Sequence, residues 1–153
     1  MKTIHRDIVS ALIISKDDKL LMGMKDPAGG GVYANCWHIP GGGVNAGEEQ
    51  TAALRRETLE EVGIDISGNA LHLVDDQGSG ETEKTLKDTG ETVRCHMTFY
   101  VYRIYIDKYA KDIPAKPGDD LARLSWVPLD QLHTYKLTPP STALFARLGY
   151  ALE

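Results

Sequence analysis

Glu57, Glu60 and Glu61 stand three and four residues apart within PGGGVNAGEEQTAALRRETLEEVGI, residues 40–64, with Arg56 directly before the first of them and Glu48 and Glu49 upstream. On a helix turning about 100° per residue, Glu49, Ala53, Arg56, Glu57, Glu60 and Glu61 share one face, within an arc of roughly 140°. Leu54, Thr58, Leu59 and Val62 fall on the other side, where they can pack on a sheet. Glu57–Glu61 and Glu57–Glu60 are like-charge pairs, and each costs an isolated helix about 0.2–0.5 kcal/mol. Arg56 offsets part of this through Glu60. A hard divalent cation over the face accounts for the rest, because Mg²⁺ and Mn²⁺ favour carboxylate and water oxygens. Gly41, Gly42 and Gly43 lead into the segment. Without Cβ atoms, that backbone can come close to a ligand, and a free carbonyl can join the metal's shell. A metal-bound polyphosphate fits between turn and helix, and metals bridging phosphate oxygens neutralise charge in phosphoryl-type substitutions. A solvated helix face and a flexible turn would explain each half alone, but would leave their spacing to coincidence. No GxxxxGK[ST] is present, so the turn is not a P-loop.

The segment resembles the Nudix box, G-x5-E-x7-R-E-U-x-E-E-x-G-U, where U is a bulky apolar residue. Gly42, Glu48, Arg56, Glu57, Glu60, Glu61, Gly63 and Ile64 fall at its positions over 23 residues. Thr58, at the first U, is the one departure, and a β-branched residue still packs there. WHIPGG leading in and LSWVPLDQL near the end agree with the same family. The resemblance implies an α/β fold: a Nudix-type α/β/α sandwich with a mixed β-sheet, as a single hydrolase domain over residues 1–153. It implies hydrolysis of a pyrophosphate bond in a nucleoside diphosphate linked to another moiety, with Mg²⁺ or Mn²⁺ as cofactor. Glu57 and Glu61 are then the main metal ligands, with Glu60 nearby and the Gly41 carbonyl contributing. Arg56 orients the glutamates and Glu48 holds Arg56. The general base varies within the family. Glu57 is one candidate. The acidic pair Asp119 and Asp120, shortly before Trp126, is the other, with Asp120 carried as the catalytic candidate; a solvated turn after Pro117-Gly118 explains that pair equally well.

Substrate contacts are less sharply marked. Lys25, at the end of the second strand, can reach a phosphate or be an ordinary strand-end lysine. Gly42 allows close approach of the substrate. Tyr33 and Trp37 flank the site in sequence and could stack on a base. Strand alternation sets Trp37 and His38 on opposite faces, so one points to the cleft and the other to the core. The polar stretch 75–92, DDQGSGETEKTLKDTGET, reads as a long loop and a candidate lid. Two other classes stay open. One is a nucleotide-binding regulatory module, although such modules often lose the glutamates that all survive here. The other is an isopentenyl-diphosphate isomerase-like enzyme, for which Cys36 is the nearest thiol.

The positioning elements follow from local pattern. Ile8–Ile14 reads as a buried strand and Lys19–Lys25 as its hairpin partner. Residues 26–35 form a loop, Cys36–Ile39 a short strand, and Pro40–Asn45 the glycine-rich turn. A helix is expected over Glu48–Val62, with Asn45 as N-cap and Gly63 at C′. Val93–Ile106 and Leu121–Val127 are strands, Leu129–Leu132 a helical turn, and Thr138 caps a last helix with Pro139 at N1. The chain has 153 residues, 42% apolar and 25% charged, with net charge −5. That charge argues against nucleic-acid or anionic-membrane partners and leaves a small nucleotide-type substrate, with a homodimer open. Cys36 and Cys95 lack CxxC spacing, and charges interrupt the N-terminal apolar segment. No apolar run reaches about 18 residues, and the expected location is cytoplasmic, with reduced thiols.

Overall fold

The structure is a computed structural model that describes residues 1–26, 28, 33–150 and 152. Its centre is strand β1, Thr3–Ser15, alternating and then fully buried over its second half. Asp18, in a left-handed conformation, turns the chain into β2, Lys19–Lys25. The six strands form one mixed sheet in the order β4-β5-β1-β2-β6, with β3 (Gly41–Gly43) paired to β1. β4 spans His72–Thr85, β5 Thr92–Ile106 and β6 Leu121–Pro128. β1 and β5 run parallel from Thr3↔Arg94 to Ser15↔Ile106, and the other pairings are antiparallel.

Side chains alternate across β1, so one strand feeds two cores. Val9, Ala11 and Ile13 join Tyr102 and Ile104 against Ala53, Leu54 and Val62 of helix α1, Gln50–Val62. Leu12 and Ile14 join Leu20, Met22 and Val101 against Leu144 and Phe145 of helix α2, Pro139–Leu148. Helices thus cover both faces of the sheet, which is the α/β/α sandwich expected. α2 begins as anticipated: Thr138 accepts the Ser141 N–H and Pro139 occupies N1.

Four expectations are corrected. The stretch 75–92 is not a loop: β4 pairs with β5 down to Thr85↔Thr92, leaving only a short turn. Gly41–Gly43 is not a free turn but a strand in register with Ile8–Ser10. Helix α1 starts later than expected, at Gln50, flanked by Glu49; Asn45 does not cap it, because residues 45–48 form their own turn, in which the Glu48 N–H donates to the Asn45 carbonyl. Cys36–Ile39 makes only two isolated bridges, Gly23↔His38 and Trp37↔Leu137. Residues 27 and 29–32 of the expected loop lie outside the described residues. Gly63 does end α1, with φ 71° and its N–H on the Leu59 carbonyl.

Candidate active site

The inward face of α1 carries two carboxylates. Its buried residues are Ala53, Leu54, Glu57, Thr58, Glu61 and Val62, while Leu59 is 54% exposed. The helical face is therefore rotated from that expected: Leu59 turns outward, and Glu57 and Glu61 turn toward the sheet with only 9% and 4% exposure. The glycine strand makes this possible. A Cβ on Gly42 would collide with the Glu57 carboxyl group, and one on Gly41 would collide with the Val9 carbonyl oxygen. The Gly41 N–H donates to Glu61 Oε1 at 2.7 Å.

Arg56 fixes the outer edge. Its Nε and Nη2 donate to both Glu48 oxygens at 3.0 and 2.9 Å, its Nη1 to Glu57 Oε1 at 2.8 Å, and its Nη2 also to the Gly43 carbonyl at 3.0 Å. A longer contact of 3.4 Å reaches Glu60. Glu48 sits in the turn before α1, held by Arg56 from one side and by the Asn45 N–H from the other. The Arg56 hydrogen bonds, then that N–H, hold the Glu48 carboxyl down at about 2. The same bonds to Glu48 keep the guanidinium protonated more firmly than usual.

The segment before β6 completes the cluster. The N–H groups of Lys116 and Gly118 donate to the Val62 and Glu61 carbonyls, satisfying acceptors that a helix C-terminus leaves unpaired. A Cβ on Gly118 would run into the Glu60 carbonyl oxygen, so only glycine permits this seating. Asp119, left-handed at φ 53°, and Asp120 follow at once. Carboxylate oxygens of Glu57, Glu60 and Asp119 lie within 4.8 Å of one another, as do those of Glu61, Asp119 and Asp120. Asp119 was legible only as one half of an acidic pair, yet it belongs to both groups.

Burial, then a hydrogen bond shared with Asp120, raises Glu61 to about 8, against the opposing pull of the Gly41 N–H; the charges of Asp120 and Glu57 add to the rise. For Asp120, burial pushes upward, but the bond with Glu61 and the Lys25 charge outweigh it and leave the carboxyl below its usual range. Carboxyl groups this close together, with Glu61 pushed up by burial and by its acidic neighbours, mark a site short of positive charge. An octahedral Mg²⁺ shell is about 4 Å across, so carboxylates this close can share one. The donor set therefore fits a hard divalent cation, which would polarise a phosphate oxygen and lower the pKa of a bound water.

Among the substrate candidates, Lys25 Nζ lies 3.5 Å from Asp120 Oδ2, so a cation stands beside the cluster. Trp37 packs edge-on to Tyr135 at 5.5 Å, within the α2-side core. His38 is the one of the two whose charged neighbours are Lys25 and Asp120. Its Nδ1 bonds the Ile39 carbonyl at 2.9 Å, whereas Nε2 is buried without a protein partner among the described residues. Burial holds this imidazole below its usual pKa. Tyr33 stands in an exposed turn, 47% accessible. Cys36 and Cys95 are both free and buried.

Comparison with known proteins agrees with this geometry. The NUDIX domain family model matches residues 4–148. A Mycobacterium tuberculosis protein provisionally named 8-oxo-dGTP diphosphatase 2 is 30% identical over 121 residues, 78% of this chain and 73% of its own. The crystal structure of a MutT protein from Methanosarcina mazei Go1 superposes with TM-score 0.69 at 22% identity, covering 97% of this chain and 96% of that one. The E. coli dihydroneopterin triphosphate pyrophosphohydrolase gives 0.65 at 17% identity, covering 92% of each.

Proposed function

The chain belongs to the Nudix family of hydrolases, and on that premise we propose that it is a Mg²⁺- or Mn²⁺-dependent pyrophosphohydrolase acting on a small nucleotide whose phosphates carry a nucleoside and a second moiety. The observation that carries this reading is the carboxylate well: Glu57 and Glu61 buried beneath Gly41 and Gly42, with Glu60, Asp119 and Asp120 converging from outside. Glu57, Glu60 and Glu61, with the Gly41 carbonyl, hold the cation. Arg56, anchored by Glu48, sets the Glu57 rotamer. Asp120 or Glu57 takes the proton of the attacking water, and Lys25 beside Asp120 meets a phosphate oxygen. Gly42 seats the Glu57 carboxylate, and the exposed Tyr33 is the candidate ring for stacking on a base, since Trp37 packs on Tyr135 in the core. The names of the M. tuberculosis relative and of the E. coli enzyme both point to nucleotide-type triphosphates as compounds to test first.

The isomerase-like alternative would need a thiol in the cleft, and Cys36 is only 8% exposed. The test is a panel of nucleoside triphosphates, nucleotide sugars and dinucleotides, assayed for phosphate or pyrophosphate from the triphosphates and for nucleoside monophosphate from the others. Turnover should require Mg²⁺ or Mn²⁺ and stop with EDTA. Equal turnover in chelator, or none on any anhydride, would overturn the reading.

A further inference from the structure

Away from this well, the start of the pairing between β1 and β5 brings two histidines together. His5 and His96 are register partners on parallel strands. Their Nδ1 atoms lie 3.2 Å apart, and the ring centroids 5.3 Å. His5 Nε2 faces Asp7 Oδ1 at 3.0 Å and Thr98 Oγ1 at 3.3 Å. A carboxylate only accepts, so Nε2 carries the proton and Nδ1 keeps its lone pair, aimed at His96. We propose that His5 and His96 form a two-histidine site for a divalent transition-metal cation, Zn²⁺ above all, separate from the carboxylate well.

Three features support it. With Zn–N bonds of about 2.0–2.1 Å, two ligands on a tetrahedral ion stand about 3.3 Å apart, close to the separation seen. The Asp7 contact is the carboxylate–histidine arrangement that fixes the tautomer and ring orientation of metal-binding imidazoles. On β4, Glu81 is the register partner of His96, so Glu81, His96 and His5 form a row across three strands. Asp7 follows two residues along β1 and Glu83 stands opposite Arg94, leaving the patch net acidic. Imidazole donors select zinc, copper or nickel over Mg²⁺. The pair is open to entry, since the His5 side chain is 54% exposed. Bound metal would tie the start of β1 to β5. There β5 is the one strand paired with Thr3–Asp7 among the described residues, because β3 begins pairing only at Ile8.

The alternative is a plain hydrogen bond in which His96 Nδ1–H donates to His5. The test is a Zn²⁺ titration of the full chain, followed by imidazole ¹⁵N resonances and calorimetry, with Mg²⁺ in large excess to occupy the carboxylates. The expected result is one equivalent bound with the His5 and His96 Nδ1 signals shifting. Binding should be lost in His96→Gln and weakened about 10- to 100-fold in Asp7→Asn. Melting temperature should rise with Zn²⁺ in the native chain and not in His96→Gln. Unmoved His5 and His96 resonances, or binding that survives His96→Gln and disappears in His38→Gln, would overturn the proposal.

Discussion

Glu61 is the residue on which the site's electrostatics turn. In the metal-free protein its carboxyl holds a proton up to about 8, against an ordinary value of 4.5. A group whose folded pKa is raised contributes stability that is full below its unfolded pKa and is lost as pH rises through the folded one. Metal-free protein should therefore lose stability between about pH 4.5 and 8 on this account and level off above. Glu61→Gln should flatten that part of the profile and melt higher than the native chain at about pH 9, as read by denaturant titration in EDTA. If Glu57 and Glu61 hold the cation as proposed, the same substitution, like Glu57→Gln, should lower kcat by orders of magnitude with Mg²⁺ present, since each would remove a charged ligand oxygen. Near-native turnover in either variant would refute the ligand assignment. Cation binding must release the Glu61 proton below about pH 8, so Mg²⁺ affinity should rise with pH up to that point. A sequence cannot express this coupling, because it depends on how deeply two side chains are buried.

At the scale of elements, legibility followed side-chain pattern. β2, α2 and the Gly63 stop were readable because apolar spacing, Pro139 and a left-handed glycine each leave a mark in sequence. β3 left none: three glycines have no strand propensity, and its pairing with β1 is forced by the space beneath α1. From Asp75 on, β4 reads as a loop in sequence for a different reason. Its lower half, from Gly78 to Thr85, is mostly exposed and shows no apolar alternation, so the strand exists only because β5 supplies hydrogen bonds. The helix face differs from expectation at Leu59, whose apolar side chain points to the packed side in sequence but turns outward, while Glu57 and Glu61 pack into the glycine-lined well beside Leu54, Thr58 and Val62. Gly42→Ala should displace the Glu57 carboxylate and cut kcat, on the order of 100-fold for a shift near 1 Å, with little loss of stability. Gly41→Ala strikes the Val9 backbone instead and should destabilise the fold by about 1–3 kcal/mol, measured by urea unfolding. As a paired strand rather than a lid, Gly78–Thr85 should also exchange its amides at the same rate with and without nucleotide; protection gained on binding would restore the lid.

Across the whole molecule, the two cores share one sheet but are stapled differently. On the α1 side the staple is the hydrogen-bonded network of Arg56, Glu48, Glu57 and the Gly43 carbonyl, together with the Gly41 N–H on Glu61. On the α2 side it is Asp75, at an irregularity of β4, gripped by Arg147 of α2 through two hydrogen bonds of 3.0 and 2.9 Å. The Asp75 side chain is 6% exposed and that of Arg147 35%. Those bonds hold the Asp75 carboxyl below its usual range despite burial. The stabilisation is therefore present above the ordinary carboxylate pKa and is lost as pH falls through the depressed one. Arg147→Ala strands a buried carboxylate and should cost about 1–3 kcal/mol near neutral pH. The double variant Asp75→Asn, Arg147→Ala should recover part of that loss, because the uncompensated charge is gone. Neither residue touches the carboxylate well, so kcat and KM should hold at temperatures where both variants stay folded. A double-mutant cycle from urea unfolding, run beside turnover with Mg²⁺, separates the two staples: coupling in stability without a change in kcat assigns Asp75–Arg147 to the architecture, and a matching fall in kcat would mean that the two faces of the sheet do not act independently.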